Sequence, residues 1–78
     1  MEQTPITINV SANQIQVDAY LPESGMVITR WSGPSKTSPS YYLECRRNDG
    51  KCFKGLLPQD STTATLYRDS ASDTQPAL

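Results

Sequence analysis

Two runs of alternating apolar and polar residues flank Asn48-Asp49-Gly50, and this pattern constrains the fold more than any other feature of the chain. Strict period-two alternation marks a strand with one buried face. A glycine ending a three-residue polar loop suits a hairpin turn with that glycine in the left-handed conformation. That loop length pairs Arg47 with Lys51, Cys45 with Phe53, Leu43 with Gly55 and Tyr41 with Leu57. Tyr41, Leu43, Cys45, Phe53 and Leu57 then share one face. Tyr42, Glu44, Arg46, Cys52, Lys54 and Leu56 share the other, with Glu44 opposite Lys54, a cross-strand pair worth about 0.2–1 kcal/mol.

The same reasoning applied upstream predicts another hairpin. Ile6, Ile8 and Val10 alternate with polar residues, as do Ile15, Val17, Ala19 and Leu21. With Ser11-Ala12-Asn13-Gln14 as the turn, Val10 meets Ile15, Ile8 meets Val17 and Ile6 meets Ala19. Pro22-Glu23-Ser24-Gly25 reads as a turn. Met26 to Trp31 is a β-branched and aromatic strand with Val27, Ile28 and Trp31 directed at the core. Ser32 to Ser40 has no large apolar residue and reads as an exposed loop. Thr62 to Tyr67 is a last strand with Ala64 and Leu66 inward.

These elements predict an all-β fold: a small antiparallel β-sandwich or barrel of five to six strands. Residues 1–68 form the single β domain. Residues 69–78, rich in Ser, Asp, Thr, Gln and Pro, form a polar tail that is flexible or ordered only by a partner. A chain of 78 residues buries a small core. Its apolar content of 36% lies below the average for globular chains. Both facts raise the expectation of a homo-oligomer or of a place in a larger assembly.

The three-residue loop puts Cys45 and Cys52 on opposite faces of the hairpin, so they cannot bond to each other within it. Two free thiols are expected. Two cysteines without a histidine also cannot complete a zinc site within one chain. The lack of histidine further removes the usual general base and the Ser-His and Cys-His nucleophile pairs. No glycine-rich phosphate loop is present. The expectation is therefore a protein that is not an enzyme, with no metal, no cofactor and no small-molecule substrate. No apolar run approaches the roughly 20 residues of a membrane span, and no basic start precedes an apolar core. These features predict a cytoplasmic or virion-associated product.

Charge is divided unevenly along the chain. Residues 30–54 hold Arg30, Lys36, Arg46, Arg47, Lys51 and Lys54 against Glu44 and Asp49, whereas the remainder holds only Arg68 against Glu2, Asp18, Glu23, Asp60, Asp69 and Asp73. Trp31, Tyr41, Tyr42 and Phe53 lie in the basic stretch. The partner-binding candidates are thus Arg46, Arg47, Lys51, Lys54, Tyr42, Leu56 and Trp31. Tyr42 and Leu56 are large side chains on the outer face of the hairpin, and Trp31 is also a natural core residue. The expected function is a non-catalytic structural or protein-binding module, a small subunit or accessory protein of a larger assembly of viral or mobile-element origin. The alternative is a small β-barrel that binds single-stranded nucleic acid through hairpin 41–57, its cations on phosphates and its aromatics stacked on bases. The net charge of −1 weighs against that alternative.

Overall fold

A computed structural model describes residues 4–17 and 20–73. Six strands, β1 (Ile6–Asn9), β2 (Tyr20–Leu21), β3 (Met26–Ser32), β4 (Ser40–Arg47), β5 (Cys52–Pro58) and β6 (Thr63–Arg68), form one antiparallel sheet in the order β1-β6-β5-β4-β3-β2. The sheet curls into a half-barrel around a single core. Ile8, Val10, Leu21, Met26, Ile28, Leu43, Cys45, Phe53, Leu57, Ala64 and Leu66 line its inside.

Hairpin β4–β5 has the register that its loop length predicts, with Cys45 opposite Phe53, Leu43 opposite Gly55 and Tyr41 opposite Leu57. Gly50 adopts φ 88° and its N–H donates to Arg47 O, while Arg47 N–H donates to Lys51 O. A positive φ at this position costs a glycine nothing in side-chain sterics, so the turn fixes the register. Both cysteines are free, and they lie on opposite faces of the ribbon. Strand β6 likewise turns Ala64 and Leu66 inward, both fully buried.

The first hairpin is a correction. β1 does not fold back on Ile15–Leu21; it pairs with β6, placing Ile6 opposite Leu66 and Ile8 opposite Ala64. Residues Ala12–Gln16 form a short helix, α1. The residues read as a turn are its capping box: Ser11 Oγ accepts from Gln14 N, and Gln14 Oε1 accepts from Ser11 N. This reciprocal cap satisfies two backbone donors that a helix start would otherwise leave exposed. Helical spacing then separates side chains that strand spacing would align. Ile15 is fully buried, whereas Val17 is 71% exposed. Leu21 reaches the core from β2, which pairs with β3 instead. Asp18 and Ala19, part of the predicted strand, lie outside the described residues.

Strand β3 departs from simple alternation as well. The pairing shifts between Ile28 and Arg30, leaving Thr29 as the extra residue of a β-bulge. Its hydroxyl donates to Glu44 O. The bulge lets Ile28 and Trp31, three residues apart, both face inward opposite Cys45 and Leu43. Val27, predicted to be in the core, faces Arg46 on the outer side and is half-buried. The core position goes to Met26.

The polar segment after β6 begins with a 3-10 turn, Ser70–Ser72. Asp69 N–H donates to Cys52 O and so extends the β5–β6 ladder by one residue. The Asp73 carboxylate then accepts from Cys52 N and from the Arg68 guanidinium, at 2.6–2.8 Å. These bonds hold the Asp73 carboxyl at about 2, well below the usual carboxylate range, with the Arg68 contact the larger cause. A carboxyl more acidic in the folded chain than in the unfolded one, where it sits near 3.9, adds stability above that pH and loses it as the folded group protonates. Asp49, held at about 2 chiefly by Arg47, acts in the same direction. Thermal melts between pH 5 and pH 2 should therefore show Tm falling mainly below pH 4. The fall should be smaller in Asp73→Asn, measured against that variant's own Tm at pH 5. An unchanged pH profile in the variant would contradict the clamp.

Candidate functional site

The sheet register sorts the outer side chains into rows that run across the strands. One row is Ser32, Tyr42, Leu56, Thr65 and Thr7, and the next is Arg30, Glu44, Lys54 and Tyr67. Tyr42 and Leu56 occupy a non-hydrogen-bonded position of the β4–β5 ladder, where opposing side chains stand closest. Together with Lys54, Gly55, Thr65, Tyr67 and Arg68 they line an open groove of about 670 Å3. Leu56 and Tyr67 are each 48% exposed. Gly55 lends only backbone to this groove, and the place of its missing Cβ is taken by the Thr65 carbonyl of the neighbouring strand β6.

Of the residues proposed from sequence, Tyr42, Lys54 and Leu56 meet in this groove. Arg46 lies on the same face one row away, opposite Cys52 and Val27, and is exposed. Lys51 is exposed at the hairpin tip. Arg47 is directed elsewhere: its guanidinium binds Asp49 at 2.9 Å and lies 5.1 Å from the centre of the Phe53 ring. Trp31 packs half-buried against the core on the inner face, its ring centre 6.3 Å from that of Tyr41. The groove also contains Thr65, Tyr67 and Arg68, which sequence reasoning did not select. Alternation alone places Tyr67 on the outer face, because Leu66 beside it is inward.

The charges around the groove are largely internally paired. Arg30 lies 3.6 Å from Glu44, Lys54 3.9 Å from Asp69, and Arg68 2.6 Å from Asp73. Lys36, Arg46 and Lys51 form no ion pair among the described residues. Tyr42 donates its hydroxyl proton to Glu44, and this bond, with burial second, raises its pKa to about 12. The tyrosine is therefore neutral at physiological pH and acts as a donor. Burial raises the Cys45 thiol to about 11. Burial and then Asp73 also raise the pKa of Cys52, whose Sγ donates to Ser72 O at 3.1 Å. Neither sulfur is a thiolate at neutral pH, the form that a nucleophile requires.

Compared with known proteins, the chain matches no family model, no curated protein and no solved structure. Among the described residues, no helix is long and apolar enough to cross a membrane.

Proposed function

We propose that this chain is a non-catalytic protein-binding module, a small component of a larger assembly, that docks through the outer face centred on Tyr42, Leu56 and Tyr67. The observation that carries this reading is the groove itself: half-exposed apolar and aromatic side chains gathered on rigid neighbouring strands. Buried anchors of this type, ringed by polar groups, dominate the energetics of protein interfaces.

The reading is tested by capture from the source cell, comparing the tagged wild-type chain with Leu56→Asp. The wild-type chain should retain a protein in stoichiometric amount, and the variant, folded by circular dichroism, should lose it. Recovery of the same protein by both chains would move the docking surface elsewhere. Recovery of none would end the proposal.

The second reading, single-stranded nucleic acid along hairpin 41–57, is supported by two tyrosines and two cations in the same groove. It is weakened by Asp73, which takes up the Arg68 guanidinium, and by Glu44 and Asp69, which set negative charge beside Arg30 and Lys54, because phosphate contacts depend on cations free to displace counterions. Oligothymidylate binding measured from 50 to 500 mM salt separates the two readings. Affinity that falls steeply with salt belongs to the nucleic-acid reading, and no binding at 50 mM removes it.

A further inference from the structure

Resting on the docking face proposed above, we infer that its partner is a polypeptide segment that carries carboxylates on either side of a large apolar anchor. The charge layering of the face is the reason. In each of the two loose ion pairs on this face, the cation is the exposed member: Arg30 is 74% exposed against 29% for Glu44, and Lys54 52% against 15% for Asp69. Both separations, 3.6 and 3.9 Å, exceed hydrogen-bond range. Arg30 and Lys54 therefore keep donors open to the outside.

The carboxylates are engaged from within. Glu44 accepts from Tyr42 Oη, and Asp69 accepts from Ser72 Oγ. Arg46, exposed and without an ion pair among the described residues, adds a third outward cation one row away. Arg68 differs, since its guanidinium is taken up by Asp73 and by the carbonyl of Cys52. A partner approaching Leu56 and Tyr67 thus meets an apolar floor with cation heads at its rim and carboxylates beneath them.

That layering favours a few carboxylates placed beside an apolar side chain. A nucleic acid would carry a phosphate at every nucleotide past Glu44 and Asp69, and it has no large aliphatic side chain to set against Leu56. The extended backbone of a peptide supplies both elements, a carboxylate and an anchor on alternate positions.

Selection of a displayed random dodecapeptide library on the intact chain tests the inference. Enriched peptides should be net negative and contain a central Leu, Ile, Phe or Tyr. By fluorescence polarisation, the best of them should bind at least tenfold more weakly to Leu56→Asp and to the double variant Arg46→Glu, Lys54→Glu. The milder Lys54→Gln should weaken binding in the same direction, which guards against misfolding of the double variant. Enriched peptides that are neutral or basic but still need Leu56 would overturn the acidic partner and leave the docking face standing. Peptides indifferent to Leu56, or no enrichment at all, would overturn both. Oligothymidylate that binds more tightly than any selected peptide would put nucleic acid in the partner's place.

Discussion

Replacing Gly55 with alanine should destabilise this chain by about 3 kcal/mol or more. A Cβ built on Gly55 falls 1.9 Å from Thr65 O and within 3 Å of two further backbone atoms of β6. A flexible side chain could swing clear of such a contact, but a backbone carbonyl inside a six-stranded sheet cannot do so without unpairing β5 from β6. Gly55 is opposite Leu43 on one side and Leu66 on the other, both fully buried. Any displacement is therefore transmitted into the core. Overpacking a well-filled interior costs about 1–3 kcal/mol and occasionally more. A backbone clash this close belongs at or beyond the top of that range, lowering Tm by at least about 12 °C in a domain of this size. Differential scanning calorimetry of Gly55→Ala measures it directly. A loss of less than about 1 kcal/mol would mean that β6 does not cross Gly55 so closely.

The second large effect separates two neighbouring positions that the sequence pattern treats alike. In a β-hairpin Ile15 and Val17 would both face the core, and truncating either would leave a cavity. In the structure only Ile15 is buried, as the apolar anchor of α1, and Val17 stands out in solvent. Ile15→Ala should destabilise by about 2–5 kcal/mol, the usual range for removing a large aliphatic side chain from a core. Val17→Ala should change stability by no more than about 0.5 kcal/mol. Urea denaturation of both variants gives the contrast. Comparable losses at the two sites would restore the strand reading and remove the helix.

The two variants also show where sequence reasoning succeeds and where it stops. Hairpin 41–57 is legible because its determinants are local: a loop of fixed length ending in a left-handed glycine, and alternation that sorts Tyr41, Leu43, Cys45, Phe53 and Leu57 to one side. The Tyr42–Leu56 half of the candidate site follows from that register alone. The segment 6–21 offers equally regular alternation, but one of its determinants is ambiguous and another is not local. Ser11 and Gln14, three residues apart, carry a helix cap in residues that also suit a turn. The partner of β1 is chosen by how the curled sheet buries Ile8 and Val10, which brings β1 beside the last strand of the sheet. Ile28 and Trp31 are legible as core residues from their type, but the bulge at Thr29 that lets both face inward is not, since an inserted residue reverses the alternation. The strict requirement for glycine at position 55 depends on the path of β6, and no pattern within β5 reveals it. Internal pairing of the basic residues is equally invisible, because Asp69 reaches Lys54 only through the β5–β6 pairing and Asp73 reaches Arg68 only once the chain has turned at Ser70–Ser72.

The fold turns on one topological fact: β1 lies beside β6, which extends the outer row of Tyr42, Leu56 and Thr65 to Thr7. A nuclear Overhauser spectrum of the labelled chain tests this directly. Val10 N–H donates to Thr62 O, which makes Thr7–Thr65 and Asn9–Thr63 the closely spaced, non-hydrogen-bonded pairs of the β1–β6 ladder. Strong Hα–Hα cross-peaks are expected between those residues. Cross-peaks joining Ile8 to Val17 in place of them would contradict the fold.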